Sequence, residues 1–340
     1  DVIRVVVLSL GLGDVYKRQI PHISNISGGS AFSMNDYNGG PVDEVYANKR
    51  LRNEPLVEIT QAKGTSETHP FLSKNDEWAN FEVPTNHPGE NVLTNLSGSY
   101  VRDAYLRGLT LAKEGISNPF KFGIIGSSDT HVGGGSYTEE THFSKIGLLD
   151  GEPYLRGSVP YRGIYGFFTK LLRPEAIIEV DENNYLGVST RLIRFGSSGL
   201  AGVWAEENTR EAIYEAFKRK ETFGTSGPRI KLRFFAGYSF EDSNLVDTNL
   251  IKKAYAQNTT MGGTIQSEKS IEPKFLIWAI SDPEGAPLQR VQVIKGWLED
   301  GVHREKIFDV ACSDGKIVNP ETNRCPDNKA EVNLEDCSFS

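Results

Sequence analysis

The chain has 340 residues, 38% of them apolar, 10% aromatic and 24% charged, a balance that suits a buried core and excludes a long disordered tract. A formal charge of -8 argues against a nucleic-acid or anionic-membrane surface, because phosphate backbones are held by clustered Lys and Arg. No window approaches the roughly 20 apolar residues that span a bilayer, so no membrane span is expected.

At roughly 100–200 residues per domain, the length predicts two domains. Residues 1–19 combine an apolar run, Val5 to Leu10, with a basic stretch ending at Gln19, and carry no small-residue cleavage site. Gly11-x-Gly13 lacks the third glycine of a dinucleotide fingerprint, since Tyr16 stands nearby and no helix pattern follows. The segment is expected to be foreign to the fold or unstructured, with the true chain starting near Ile20.

From Ile20 to about Pro228 the pattern is α/β. Pro41 to Asn53 reads as a helix and Pro55 to Thr60 as a short apolar strand; a long polar loop, Lys63 to Ser97, follows. Val101, Ala104, Tyr105, Gly108, Leu109 and Ala112 mark one face of a second helix. A strand from Phe120 to Ile125 runs into Gly126-Ser-Ser-Asp-Thr-His131, and residues 132–170 read as an excursion across the mouth of a site. A third helix is predicted from Asn208, where Asn208-x-x-Glu211 has the form of a capping box and Ala212, Ile213, Ala216 and Phe217 make the buried stripe. Residues 229–311 change character: Ile230–Phe235, Lys274–Ile280, Arg290–Lys295 and Lys306–Val310 are strand-like runs between turn residues. This predicts a β-rich, sandwich-like second domain. Residues 312–340 form a loop-rich tail holding all three cysteines, Cys312, Cys325 and Cys337. The spacing fits no zinc finger. A disulfide staple is expected, its pairing open, with a fourth Cys beyond a truncated end, and it favours a periplasmic or secreted protein over the cytoplasmic alternative.

The chemistry-bearing residues gather after strands. Asp129 and His131 are two apart in an extended segment, so their side chains share a side and could ligate one metal; an Asp capping a turn beside a His bonded to backbone fits the pair alone equally well. Asp oxygen with His nitrogen suits Zn, Mn or Fe. His22 and His69 each follow a predicted strand by a short loop, and repetition of that unit favours a shared metal centre. Glu58 lies inside an apolar strand, where a carboxylate is costly unless it is a metal ligand, supports one, or faces outward. His87 and His303 read as surface residues, and His142 only as a residue of the site mouth. There is no Gly-x-Ser-x-Gly elbow and no Walker loop, and the cysteines lie in the tail. Metal-activated water is the hydrolytic chemistry left.

Five stretches together resemble a known family: Ile-Pro-His22-x-x-Asn25; Leu-Val-Glu58-Ile-Thr-Gln-x-Lys63-Gly-Thr-Ser-Glu-Thr-His69-Pro; Gly98-Ser-Tyr-Val-Arg102; Phe-Gly-x-Ile-Gly-Ser-Ser-Asp129-Thr-His131; and Ala201-Gly-Val-Trp204-Ala-Glu-Glu-Asn208-Thr-Arg. They look like the bacterial domain-of-unknown-function 3604 family of the PHP (polymerase and histidinol phosphatase) superfamily, from about Ile20 to the last Cys. The resemblance implies a distorted β/α barrel with two or three divalent transition metals, hydrolysing a small phosphorylated or other anionic ester. It implies His22, His69, Asp129 and His131 as metal ligands, with Asp129 and His131 closing the catalytic centre. Lys63, Arg102 or Arg229 could hold substrate oxyanions. The Asp-x-His-x-His and Thr-Asp-His strands that open such proteins, and a further acidic ligand, are absent. The barrel is therefore expected to be partial, and the isolated chain weakly active or inactive. Two other readings stay open: a non-catalytic binding protein using its β-rich part, and a metal hydrolase of sulfate or phosphonate esters. The oligomeric state is not legible.

Overall fold

The computed structural model describes residues 19–83, 95–129, 163–172, 177–181, 184–187, 199–240, 247–267, 271–331, 333 and 338. The segment 1–18 and the residues His87, His131, His142 and Cys337 lie outside them, as does most of the predicted 132–170 excursion.

The first layer starts with α1 (Glu44–Asn53), which opens on Asp43: its carboxylate accepts the Tyr46 amide at 2.7 Å, satisfying a donor that the helix itself leaves free. Next come β1 (Leu56–Gln61) and β2 (Gly64–Thr65), a hairpin whose register pairs Thr60 with Thr65 and Gln61 with Gly64. Then α2 (Val101–Lys113) leads to β3 (Gly123–Gly126), which lies parallel to β1 with Glu58 opposite Ile125 and a register shift between Glu58 and Thr60. The parallel pairing follows from the helical crossover between the strands. One core forms under it from Phe32, Val57, Val101, Ala104, Leu111, Phe120 and Phe122. The buried face of α2 includes Val101, Ala104, Gly108 and Leu111, while Ala112 is exposed. The predicted stripe is displaced at its C-terminal end, because Gly108 sits where Asn118 crosses the helix and a Cβ there would meet its side-chain amide.

Further along lie α3 (Gly163–Leu172), the hairpin β4 (Ile177–Asp181) and β5 (Asn184–Gly187), and a second antiparallel pair, β6 (Leu200–Val203) with β7 (Thr222–Thr225). Between the last two is α4 (Arg210–Arg219), capped by Thr209, whose hydroxyl accepts the Ala212 amide at 3.3 Å. Thr209, not Asn208, is therefore the cap. The β6/β7 pair presses on β3 at backbone contact: a Cβ added to Gly224 would lie 2.5 Å from the Gly126 nitrogen and 2.7 Å from the Ile125 carbonyl carbon.

The β-rich part comprises β8 (Lys231–Gly237), β9 (Thr259–Thr260) and β10 (Lys274–Ile280) in the order β10-β8-β9, and the ribbon of β11 (Arg290–Glu299) with β12 (Val302–Cys312). Each predicted strand of this region is present, and α5 (Leu250–Gln257) is an addition. A second core, Phe235, Ala254 and Leu276, joins α5 to its sheet. The ribbon ends in a disulfide, Cys312 to Cys325. The described residues are mixed α/β, with five α-helices and several small sheets among them. Among the described residues these sheets close no barrel, because antiparallel pairs, which end sheets instead of extending a parallel wall, alternate with the single parallel pair.

Candidate functional site

The carboxyl ends of β1 and β3 lie side by side, the position at which α/β sheets gather ligands. The extended residues before Ser24 run along the outer edge of β1: the Gln19 amide donates to Asn53 O at 2.7 Å and the Glu58 amide to Pro21 O at 3.0 Å. This brings His22, exposed, to the rim of the strand ends.

Glu58 is the centre of the arrangement, at 4% exposure. Its Oε1 accepts the Ile23 amide at 3.1 Å and Gln61 Nε2 at 3.0 Å, and its Oε2 accepts the Ser127 hydroxyl. All three donors are neutral, and among the described residues the carboxylate has no cationic partner. Gln61, fully buried, passes the chain on: its Oε1 accepts the Lys63 amide at 3.2 Å. Lys63 Nζ then donates to Asp129 Oδ2 in a close ion pair, with side chains 16% and 9% exposed. Asn25, also buried, clamps the same loop through its Nδ2 to Lys63 O at 3.2 Å and its amide to Ser66 Oγ at 3.3 Å.

Two residues here take left-handed backbone, Ile23 at φ 49 and Asp129 at φ 54. For β-branched Ile23 this conformation is strained by about 1–3 kcal/mol, and such strain collects at functional sites. The Glu58 carboxylate holds Ile23 in it through the amide bond just described.

His69 is buried elsewhere. Its ring stacks on Phe71 with centroids 5.2 Å apart and tilts against Tyr100 at 5.7 Å, and burial lowers its pKa. The Phe71 amide donates to Nδ1 at 3.2 Å, so the neutral ring carries its hydrogen on Nε2. A metal on Nε2 would require the other tautomer and loss of that bond. Arg102 is 7% exposed and committed to three carboxylates: Glu305 at 2.9 and 2.6 Å, Asp76 at 2.5 Å and Glu67 at 3.2 Å. Arg229 is exposed at the start of β8, its amide bonded to Asp282 at 2.5 Å.

Of the sequence candidates, then, Glu58, Lys63 and Asp129 come together with His22 at their rim, His69, Arg102 and Arg229 stand in other environments, and His131 lies outside the described residues. Ser127, Gln61 and Asn25 were not anticipated. The left-handed backbone at Asp129 breaks the extended run on which its i and i+2 alternation with His131 rested, so that alternation gives no signal for Ser127. No group of three or more His, Cys, Asp or Glu able to hold a metal occurs among the described residues. Glu58 nevertheless suits a divalent ion, being a buried oxygen donor whose charge, among the described residues, only neutral groups offset.

No curated protein and no solved structure matches the chain. A family model does: the one described as a protein of unknown function, DUF3604, over residues 13–340. The chain belongs to that family.

Proposed function

We propose that this member of the DUF3604 family is a metal-dependent hydrolase of anionic esters, foremost phosphate esters, working at the carboxyl ends of β1 and β3. The observation that carries the reading is Glu58: a buried carboxylate offset by neutral donors alone, one residue network away from the Lys63–Asp129 pair. Glu58, Asp129 and His22 are the donors that would hold Mn, Zn or Fe, joined by His131. Placing His69 among them requires its ring to change tautomer. The β1/β3 pair, edged by residues 19–22, would be one stretch of a PHP-type β/α wall.

When bound, the metal supplies a water acidified toward neutral pH and a positive charge at the ester oxygen. The chain's own part is positioning. Lys63 offers a cation of the right reach for a substrate oxyanion, and an arriving anion competes with Asp129 for it. The Asp129 carboxylate, beside Lys63 at the same turn, would hold the metal and orient its water. Ser127, fixed by Glu58, keeps the turn that carries Asp129 against the end of β1. A sulfate or phosphonate ester presents the same oxyanion geometry, so substrate profiling decides among the three.

The test is elemental analysis and hydrolysis of p-nitrophenyl phosphate and bis-p-nitrophenyl phosphate, on the 340-residue chain and on the product of the intact gene. Stoichiometric transition metal and metal-dependent turnover are expected in the gene product, with Glu58→Gln and Asp129→Asn each lowering kcat by about 10²-fold or more. A metal-free, inactive gene product would instead favour a binding role for the β-rich part.

A further inference from the structure

Side chains alternate across β1 and β3, so Glu58 and Ile125 face the candidate site while Ile59 and Ile124 face away from it. Val57 on that face packs into the first core, but beyond it the face does not meet protein directly. It opens into a cavity of about 750 Å³, whose opposite wall is the β8/β10 sheet. There the alternation repeats: Phe235 and Leu276 point into the second core, and Leu232, Phe234 and Ile277 point into the cavity. Two apolar sheet faces that would ordinarily pack on each other are thus held apart, at a size typical of small-molecule sites.

The polarity of the cavity is uneven. From the level of Gly123, opposite Leu56, to that of Thr60 it follows the strands for four residues, or roughly 13 Å. At the Gly123 end stands Lys220, a non-glycine residue at φ 61. Gly123 and Gly262 make room for its stem, since a Cβ on either would collide with it. Its ammonium donates to the Lys121 carbonyl and feels the Lys121 ammonium; burial first, then that repulsion, lowers its pKa. The far end holds the Glu67 carboxylate, already bonded to Arg102. A chain with one anionic head fits this asymmetry: the head relieves the repulsion at Lys220, and the tail covers the apolar walls.

We propose that this cavity binds a small amphipathic molecule, a medium-length alkyl chain bearing a single carboxylate, with its head at Lys220 and its tail between β3 and β8. The proposal concerns the face of β1/β3 opposite Glu58 and does not depend on the hydrolase reading.

Isothermal titration of the full chain with decanoate tests it, with decyltrimethylammonium as the chain of opposite charge. Saturable one-to-one binding of decanoate is expected, at least about tenfold tighter than the cationic chain. Lys220→Met should weaken decanoate binding about tenfold and leave the cationic chain unaffected or improved. Ile277→Trp, which fills the cavity from β10, should abolish binding; Leu232→Trp fills it from β8 and serves if the first variant fails to fold by circular dichroism. No saturation below the micellar concentration, equal affinity for the two head groups, or undiminished binding in a folded tryptophan variant would overturn the proposal.

Discussion

Replacing Arg102 by Met should cost stability and leave substrate affinity alone. Among the described residues the guanidinium is the only cation bonded to a group that joins α2 to Glu305 of β12 and to Asp76 and Glu67 of the intervening loop. Asp76 and Glu305 are 6% and 16% exposed at the side chain, so removing Arg102 strands two nearly buried charges beside the half-buried Glu67. Breaking a buried pair from one side costs about 3–5 kcal/mol. For a unit of roughly 150–250 residues that lowers Tm by on the order of 10 °C. The deficit should depend on pH with a definite sign. Burial already pushes the Glu67 carboxyl above the usual carboxylate range, against the pull of Arg102. Without Arg102 the Glu67 carboxyl rises further, so the folded state binds more protons than the unfolded one and stability falls as pH rises. Thermal melts of Arg102→Met at pH 5 and pH 8 should therefore show the smaller loss at pH 5, with Glu305→Gln partly rescuing the variant. A loss under about 1 kcal/mol, a loss independent of pH, or a raised KM with unchanged stability would refute the reasoning and return Arg102 to the substrate.

Asp309 makes the opposite case. Burial alone would raise its pKa, but the Cys325 amide, Gln292 and the charges of Arg290 and Arg324 outweigh it and hold the carboxyl below its usual value. Its contribution is thus present above the unfolded pKa and lost as pH falls through the folded one; in urea titrations Asp309→Asn should lose about 3 kcal/mol at pH 7 and much less near pH 3. Reducing Cys312–Cys325 reopens a loop with a sequence separation of 13 and should cost about 3 kcal/mol, read as a lower urea midpoint with dithiothreitol. Gly224→Ala places its methyl on the backbone of β3, which no rotamer can relieve, so the expected loss is about 1–3 kcal/mol in the same assay, together with lower hydrolase activity.

Much of the secondary structure was legible because it depends on local signals. The Lys274–Ile280 strand has its predicted limits, β8 is shifted toward its C-terminal end, and β11 and β12 extend the predicted runs by a few residues, as expected where a partner strand continues the ladder. The cap of α4 moved from Asn208 to Thr209, since both residues can cap and only the backbone decides. The short helix Leu250–Gln257 was hidden in a region read as β, because its eight residues lie between strand-like runs. The candidate site was legible as residue types and not as partnerships. Asp129 and Lys63 were read separately, as ligand and as anion holder, yet they bind each other across 66 positions. Arg102 carries the same lesson: a cation after a loop suggests a substrate, and the carboxylate that claims it lies 203 residues away.

Glu58 has a further role before the chain is folded. Two of its three partners are distant, Ile23 by 35 positions and Ser127 by 69, so those bonds form only after long loops have closed. Until then it is a solvated negative charge in the middle of Leu56-Val57-Glu58-Ile59-Thr60, a segment otherwise composed as an aggregation-prone strand. In the nascent chain the carboxylate acts as a gatekeeper, keeping that segment from annealing to the edge of another molecule. An apolar residue at position 58 would remove this protection along with the site, and the loss would show first as insolubility.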